Sequence, residues 1–240
     1  MAPLEDLNVP LYERVRLAIQ AKLASHSWDP AEPIPTEQAL SAEYGVSIGT
    51  IRKAVERLVK DGLLVKVQGK GTYIKRPGLQ NSLSRFFRYR DHAGRQIVPM
   101  GVVKHVAKVP PVPEINARLG IDPQESLIQV QRVRLVGQAV VLSEHIWLPG
   151  HLFGALLDVP LERFGNLLYP FYDEVCGQFV SSAVETLSFT RDHADEGLGT
   201  PAGELLVKIE RVAQNLEGQA IEYRISYGLP ENFRYEMRIS

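Results

Sequence analysis

One stretch of the chain carries closely spaced cationic side chains, which could bind phosphate groups. Between positions 52 and 76 there are eight lysines and arginines and two acidic residues, a net charge of +6, whereas the whole chain has a net charge of −1. The basic residues are Arg52, Lys53, Arg57, Lys60, Lys66, Lys70, Lys75 and Arg76. A basic segment in a slightly acidic protein is typical of a local nucleic-acid site, and the alternative is a helix face that is merely solvated.

A second set of charged side chains interrupts two apolar patterns further along the chain. Arg132 and Arg134 continue a period-two row of apolar residues, and Glu144 lies among the aliphatic residues of the following run. Charged groups are rarely buried unpaired, so two alternatives follow. Either an arginine pairs with Glu144 across a hairpin as a structural ion pair, or these groups face an anionic ligand. Arginine suits the second task because its planar guanidinium group can donate two hydrogen bonds to a phosphate or carboxylate.

The sequence lacks the patterns that would support catalysis. Its six histidines are scattered without the spacing of metal ligands, and no glycine-rich phosphate loop of the Walker or Rossmann type occurs. The single cysteine, Cys176, has no recognisable catalytic partner and permits no intramolecular disulfide bond, which is typical of a reducing compartment. The sequence therefore predicts a protein that is not an enzyme and that needs no metal and no cofactor.

Length and composition indicate a soluble protein. The 240 residues are 45% hydrophobic and 23% charged, which allows one large or two modest domains with their own cores. No apolar run approaches the roughly 18 residues of a transmembrane helix. The N-terminus is acidic and lacks the basic and apolar regions of a signal peptide, so we expect a cytoplasmic localisation.

The basic stretch is positioned by a predicted helix and hairpin. Apolar residues from Ile51 to Val59 recur at helical spacing and leave the cationic side chains on the opposite face. Ser47 precedes this helix as an N-cap for Thr50, and Gly62 follows it as a C′ residue. Two short β-type runs, LLVKV and GTYIK, then flank a glycine-rich turn. The pattern predicts a winged helix-turn-helix, whose helix enters the major groove of DNA while the hairpin contacts phosphate or the minor groove.

Two more predicted helices complete this domain. Pro10–Ser27 is amphipathic, Thr36 is the N-cap of the next helix, and Gly45 ends that helix. Three helices and a hairpin in about 75 residues form a complete small domain. Residues 77–84 are rich in turn formers and lack periodicity, which predicts a linker between a domain of residues 1–76 and a second domain of residues 85–240.

The second domain shows the alternating pattern of β-strands. Strands are predicted at Ile97–Val109, Leu127–Val136, Ala139–Leu148, Gln178–Thr190, Glu204–Leu216, Ala220–Leu229 and Phe233–Ile239. Helices are predicted at Pro113–Leu119, His151–Leu157, Gly165–Val175 and Arg191–Leu198. Because neighbouring strands mostly follow one another as hairpins, we expect an α+β domain built on an antiparallel sheet.

The run PTEQALSAEYGVSIGTIRKAVERLVKDGLLVKVQGKGTYI resembles the DNA-binding domain of the GntR family of bacterial transcription regulators. The family commonly has Pro-Ser-Glu-Arg and Val-Ser-Arg-x-Thr-Val-Arg where this chain has PTEQ and VSIGTIR. Two arginines that contact DNA in some relatives are therefore Gln38 and Ile48 here, so the operator sequence cannot be carried over. The resemblance implies DNA contacts from the helix residues Thr36, Gln38, Ser47, Gly49, Thr50, Arg52 and Lys53 and from the wing residues Gln68, Gly69, Lys70, Gly71 and Thr72.

The phrases LIQVQRVRLV, VVLSEHIWLP and AIEYRISYGLP resemble the UTRA effector domain of the HutC branch of that family, which has a fold like chorismate lyase. The resemblance covers about residues 84–240. It implies an effector site formed by Arg132, Arg134, Glu144, Tyr169, Glu222 and Tyr227, in which the two arginines hold a phosphate and Glu144 a polar ligand group. The family has a serine at the position of Leu167, so Asn166 or backbone N–H groups would have to replace its hydroxyl.

Two of these residues have a second interpretation from the strand pattern. Glu222 alternates with Ile221 and Tyr223, so it can equally lie on an exposed face with Arg224. Tyr227 could close the ligand pocket, although an aromatic residue on a strand is more often part of a core.

Together, the two resemblances imply a metabolite-responsive transcription regulator that acts as a repressor. Such a protein would bind a pseudopalindromic operator as a homodimer, and a small carboxylate or phosphorylated compound in the second domain would modulate its DNA affinity. No membrane partner is implied. One alternative is an architectural DNA-binding protein without an effector. The other is a lyase-like enzyme, which fold resemblance alone does not support.

Overall fold

A computed structural model describes residues 9–25, 27–29, 32–74, 89–90 and 96–233 of the chain. The chain divides into two compact units, Met1–Pro77 and Gly78–Ser240. The predicted linker of residues 77–84 and nearly all of the predicted strand Phe233–Ile239 lie outside the described residues.

The described part of the first unit contains three helices and a hairpin. They are α1 (Leu11–Ala24), α2 (Glu37–Tyr44), α3 (Ile48–Lys60), β1 (Leu64–Val67) and β2 (Gly71–Ile74). The two strands pair antiparallel from Leu64 opposite Ile74 to Val67 opposite Gly71. The core of the unit buries Val15, Ile19, Leu23, Ile34, Leu40, Ile51, Ala54, Val55, Leu58, Leu64 and Ile74. The predicted winged helix-turn-helix is confirmed.

Local hydrogen bonds form the turn between α2 and α3. Thr36 Oγ1 accepts the N–H of Ala39 at 3.2 Å, and Ser47 Oγ accepts the N–H of Thr50 at 3.2 Å. Each cap satisfies a donor that the first helical turn leaves free. Gly45 ends α2 with a φ of 66°, a left-handed conformation that glycine adopts without steric cost.

The second unit is an α+β domain, as predicted. Its strands are β3 (Tyr89–Arg90), β4 (Gln96–Ile97), β5 (Met100–Val109), β6 (Leu127–Val136), β7 (Ala139–Pro149), β8 (Ser182–Thr190), β9 (Leu206–Gln214) and β10 (Ala220–Gly228). Its helices are α4 (Pro113–Leu119), α5 (Gly150–Phe153) and α6 (Leu168–Cys176), with 3₁₀ turns at Gly154–Asp158, Leu161–Arg163 and Pro230–Asn232. The last six strands form one antiparallel sheet in the order β5-β6-β7-β10-β9-β8, and β3 pairs with β4.

Helices pack against both faces of this six-stranded sheet. On one face, Ile128, Val130, Ile146 and Leu148 form a core with the aromatic residues of the segment that contains α5 and α6. On the other face, α4 packs against a smaller core that includes Tyr223 of β10. Successive side chains of β6, β7 and β10 therefore point alternately toward the two faces of the sheet, each of which has its own core. None of the helices in the described ranges is both long and apolar enough to cross a membrane.

The predicted helix Arg191–Leu198 is wrong. This segment contains a turn that is closed by two backbone hydrogen bonds between Asp195 and Thr200, with N···O distances of 2.9 and 3.0 Å. Gly199 has a φ of 68° within this turn. Glycine is among the poorest helix formers, and this turn also contains Gly197, which explains why the helix does not form.

Several predicted element boundaries are also corrected. Strand β5 begins at Met100 rather than Ile97, because Pro99 has no N–H to donate to the sheet. Strand β8 begins at Ser182 rather than Gln178, because the N–H of Gln178 closes the end of α6 instead. The predicted helix His151–Leu157 is one α-helical turn, α5, followed by a 3₁₀ turn.

Candidate nucleic-acid interface and ligand site

The predicted DNA-contact residues all lie at the surface of the first unit. Each of the twelve is exposed or half-exposed, in contrast to the apolar residues of α3 that pack into the core. At the start of α3, the hydroxyl oxygens of Ser47 and Thr50 lie 2.9 Å apart. A Cβ added to Gly49 would meet only Ser47 Oγ, at 3.8 Å, so this end of the helix is open to a close approach by a nucleic-acid backbone.

Arg52 is held by an acidic residue that the sequence did not single out. Glu37 at the start of α2 accepts hydrogen bonds from Arg52 Nε at 3.0 Å and from Lys66 Nζ of the wing at 3.3 Å. Burial raises the pKa of Glu37, but these two cations lower it below its usual value. The Arg52 side chain is still 57% exposed, so it can reach a base edge or a phosphate. Glu37 thus joins α2, α3 and the wing at the basic surface.

Lys53 contacts an aromatic residue of another helix. Its ammonium group lies over the ring of Tyr12 in α1, 4.1 Å from the ring centroid, which is the geometry of a cation–π contact. The contact positions the Lys53 side chain at the α1 side of the basic surface. Periodicity within α3 cannot reveal it, because the partner belongs to another helix.

The wing is fixed to the rest of the unit at its base. The N–H of Ile34 donates to the carbonyl oxygen of Thr72 at 2.8 Å. Gly71 has a φ of 128°, and a Cβ there would lie 3.0 Å from the ring of Pro33. The tip residues Gln68, Gly69 and Lys70 are exposed. Together with Thr36, the wing residues line an open cleft of about 490 Å³ beside the start of α2.

The structure brings Arg132, Arg134 and Glu144 together inside the second unit. The register of β6 and β7 places Arg132 opposite Glu144. The Glu144 carboxylate lies 3.1 Å from Arg134 Nε, 3.6 Å from Arg132 Nη1 and 3.3 Å from Nη1 of a third arginine, Arg224 of β10. Arg132 is 1% exposed and Glu144 2% exposed, so these ion pairs are taken out of water.

Glu222 and Tyr169 extend this cluster across the sheet. Glu222 pairs with Arg224 at 2.8 Å and accepts hydrogen bonds from the hydroxyls of Tyr169 at 2.8 Å and Tyr172 at 3.0 Å. The Tyr169 hydroxyl in turn accepts from Arg211 of β9 at 3.1 Å. Glu222 is completely buried, so the interpretation that placed it on an exposed face is wrong.

Among the described residues, the resulting buried polar network contains more arginines than carboxylates. The arginines described in this network are Arg132, Arg134, Arg211 and Arg224, and the carboxylates are those of Glu144, Glu185 and Glu222. Nε of Arg132 and Nε of Arg224 are buried and have no hydrogen-bond partner among the described residues. A buried donor without a partner costs about 1–3 kcal/mol. The network is therefore electrostatically suited to an additional anion.

Glu144, Arg132 and Tyr169 keep their ordinary charge states at neutral pH. Burial raises the pKa of Glu144, but Arg134, Arg224 and Arg132 lower it well below its usual range, so the carboxylate is ionised. Burial lowers the pKa of Arg132 to about 10 against the attraction of Glu144, which leaves the guanidinium group protonated. Burial also raises the pKa of Tyr169 to about 12, so its hydroxyl can donate to Glu222.

The Arg132 guanidinium group is positioned from two sides. Its Nη2 donates to the backbone carbonyl oxygen of Asn166, just before α6. The Asn166 side-chain oxygen accepts the N–H of Gly101 in β5 at 2.7 Å. Gly101 also provides the space for the guanidinium group, because a Cβ built there would lie 1.7 Å from Arg132 Nη2. Asn166 thus holds the arginine and the neighbouring strand.

Tyr227 lies on the other face of the sheet, so it does not close a pocket at Arg132. Side chains alternate along β10, and Tyr227 has the opposite parity to Glu222 and Arg224. Its ring stacks on His193, with centroids 3.9 Å apart, and also contacts His145. The prediction of an effector contact by Tyr227 is corrected accordingly.

The sequence interpretation missed several members of the network. Arg224 follows Glu222 by two residues on one strand, and this spacing was the signal that could have identified it. Arg211 and Tyr172 gave no comparable signal. They meet the network only because β10 lies between β7 and β9 and because α6 packs on this face.

Comparison with known proteins finds matches to both units. Residues 11–74 match the bacterial regulatory proteins of the gntR family, and residues 96–234 match the UTRA domain. The chain is 30% identical to the mannosyl-D-glycerate transport/metabolism system repressor MngR of Escherichia coli K12, over 69% of this chain and 68% of that protein. It is 43% identical to the histidine utilization repressor of Klebsiella aerogenes, over 31% of each chain. The crystal structure of the possible transcriptional regulator YydK of Bacillus subtilis is similar over 97% of this chain and 100% of that one, with a TM-score of 0.52 at 19% identity.

Proposed function

Because the chain belongs to the gntR family of bacterial regulatory proteins and carries a UTRA domain, we propose that it is a cytoplasmic repressor whose operator affinity is controlled by a small anion. Members of this family are transcriptional regulators rather than enzymes, and two of the similar proteins are repressors of metabolic systems. In the proposed mechanism, the first unit binds operator DNA and the second unit binds the effector.

In the first unit, helix α3 and the wing have surfaces that suit different contacts with DNA. Helix α3 has an apolar side in the core and an exposed side that carries Arg52 and Lys53, which suits insertion into the major groove. The wing presents Lys70 and backbone groups at a glycine-containing tip, which suits contact with phosphates. Ile48 is 41% exposed and offers only apolar contact, for example to a thymine methyl group.

Replacing Arg52 with alanine is expected to weaken binding to operator DNA by about 1–3 kcal/mol if the side chain contacts a base. The measurement is fluorescence anisotropy with labelled duplexes that the wild-type protein selects from a random pool, at one fixed salt concentration. Arg163→Ala is the matched control, because Arg163 is an exposed arginine of the second unit that also pairs with a glutamate. If Arg52→Ala binds the selected duplex as tightly as the control does, Arg52 makes no specific contact.

We further propose that the regulator acts as a homodimer. Two copies of α3 related by a twofold axis would read two half-sites of a pseudopalindrome. Strand β8 supports an association through the second unit, because it is an edge strand among the described strands of the sheet and carries exposed apolar residues. Val184 is 67% exposed and Phe189 is 57% exposed.

The excess positive charge of the buried network is the observation that carries the effector proposal. The ion pairs with Glu144 are those expected if the arginines served a structural role alone. However, Arg132 Nε remains buried without a hydrogen-bond partner among the described residues. A carboxylate or phosphate would supply both the missing charge and the missing acceptor. Control of DNA binding then requires that the anion binds more tightly to the arrangement of the dimer that does not fit the operator.

A thermal-shift screen of the full chain against small anions tests the effector proposal. The panel contains phosphosugars, amino acids, imidazole acids and dicarboxylates. A ligand at 100 times its dissociation constant should stabilise the protein by about 2.7 kcal/mol, which raises the melting temperature. If wider panels also give no shift, and added anions leave the affinity for selected duplexes unchanged, an architectural DNA-binding protein without an effector becomes the better description.

A further inference from the structure

A second cluster of polar side chains lies on the face of the sheet opposite the arginine network. It consists of His145 in β7 and of His193 and Asp195 in the segment between β8 and β9. Nε2 of His145 lies 3.3 Å from Asp195 Oδ2, and Nε2 of His193 lies 3.4 Å from the same oxygen. Two imidazole nitrogens and one carboxylate oxygen thus converge on one point.

The distances from the carboxylate oxygen to the two imidazole nitrogens are those of ligands around a tetrahedral metal ion. Zinc binds imidazole nitrogen and carboxylate oxygen at about 2.0–2.2 Å, so two ligands at the tetrahedral angle lie about 3.3–3.5 Å apart. Octahedral angles at the same bond lengths would bring neighbouring ligands to about 2.9 Å. The two separations of 3.3 and 3.4 Å agree with the tetrahedral value.

The surrounding structure holds the carboxylate in place. Its second oxygen, Oδ1, accepts the N–H of Leu198 at 2.9 Å, and the Asp195–Thr200 bridge fixes the backbone on either side. An oriented carboxylate is what a metal ligand requires.

The histidines are held while remaining accessible. The ring of Tyr227 stacks on His193, and the His145 side chain is 26% exposed and that of His193 32% exposed, whereas Asp195 is buried. Ser143 Oγ lies 3.5 Å from His145 Nε2, on the same side of β7. The cluster therefore has a buried anionic ligand and two ligands that an ion can reach from solvent.

We propose that His145 Nε2, His193 Nε2 and Asp195 Oδ2 bind one divalent transition-metal ion, with Zn²⁺ as the best match to the ligand types and spacing. Two imidazoles and a carboxylate select such ions over Mg²⁺ and Ca²⁺, which prefer all-oxygen sites. The fourth position would be taken by water or by a further oxygen ligand. The ion would connect β7 to the segment between β8 and β9, and so stabilise the second unit.

Zinc titration of the full chain, free of any affinity tag and pretreated with a chelator, tests this site. Isothermal titration calorimetry is expected to show one Zn²⁺ per chain, with a dissociation constant in the micromolar range or below. Zn²⁺ should also raise the melting temperature, and Mg²⁺ should not. His193→Gln and Asp195→Asn are each expected to weaken binding at least about a hundredfold, since even the loss of an outer-shell partner costs 10–100-fold.

His151→Gln is the matched control, because His151 is also an exposed histidine beside a carboxylate, Glu125, but lies outside the cluster. It is expected to bind Zn²⁺ like the wild type. His145→Gln provides a second ligand variant if Asp195→Asn does not fold. Absence of one-equivalent binding by the wild type would overturn the proposal, and the cluster would then be two imidazoles hydrogen-bonded to Asp195. If His145→Gln and His193→Gln both bind Zn²⁺ as tightly as the wild type, the proposal is also overturned.

Discussion

Replacing Glu144 with glutamine is expected to lower the free energy of unfolding of the second unit by about 3–5 kcal/mol, the usual cost of breaking a buried ion pair from one side. The carboxylate lies within 3.6 Å of Arg132, Arg134 and Arg224, which are all buried. Among the described residues it is the only carboxylate that pairs with Arg132 or Arg134. The glutamine variant would leave these guanidinium groups repelling one another away from water.

Urea unfolding of the full chain in a Trp28→Phe background measures this loss. The sequence contains two tryptophans, Trp28 and Trp147. With Trp28 replaced, the fluorescence of Trp147 in β7 reports on the unfolding of the second unit. Glu174→Gln is the control, since its ion pair with Arg163 has both side chains more than half exposed and should contribute no more than about 1 kcal/mol. Equal losses in the two variants would show that Glu144 does not hold the network together.

The same carboxylate predicts the direction of the acid dependence. The pKa of Glu144 is lowered in the folded protein, so its stabilising contribution is fully present above the unfolded value of about 4.3. The contribution is lost as pH falls from that value through the lowered folded pKa. The stability difference between wild type and Glu144→Gln should therefore shrink as pH falls below about 4.

The first unit could be predicted from sequence because its determinants are local. Ser47 caps the helix that begins at the next residue, Gly45 ends the helix before it, and the wing is a hairpin with glycines in its turn. Each of these features depends on residues a few positions apart. The contacts of Glu37 with Arg52 and of Lys53 with Tyr12 join different elements, and no spacing within one helix could indicate them.

The buried polar network was only partly predictable, because some of its contacts join elements that are far apart in sequence. Arg132, Arg134 and Glu144 were recognisable because charged residues interrupt apolar rows on consecutive strands. Arg211 joins them through a strand order that places β10 between β7 and β9, which depends on the whole sheet. Tyr227 was predicted to close the ligand pocket, but its odd separation from Glu222 along β10 places the two side chains on opposite faces of the sheet.

Replacing Arg132 with alanine is expected to weaken the response to the anionic effector strongly while leaving operator binding intact. Without Arg132, the three remaining arginines face three carboxylates among the described residues, so the described part of the network no longer carries an excess positive charge. A hydrogen bond to a charged group contributes about 1.5–3 kcal/mol, so anion affinity should fall roughly 10- to 150-fold. The measurement is anisotropy of the selected duplex, titrated with the anion that gave the largest thermal shift.

Gly101→Ala tests the same site without removing any charge. The added Cβ would lie 1.7 Å from Arg132 Nη2, so the guanidinium group must move, at a cost of about 1–3 kcal/mol. Gly154→Ala is the matched control, because a Cβ there has no heavy atom within 4 Å. Both Arg132→Ala and Gly101→Ala should therefore bind the duplex normally and respond poorly to the anion. An unchanged response in Arg132→Ala would instead mean that the arginines serve only the ion pairs with Glu144, and that the effector binds elsewhere.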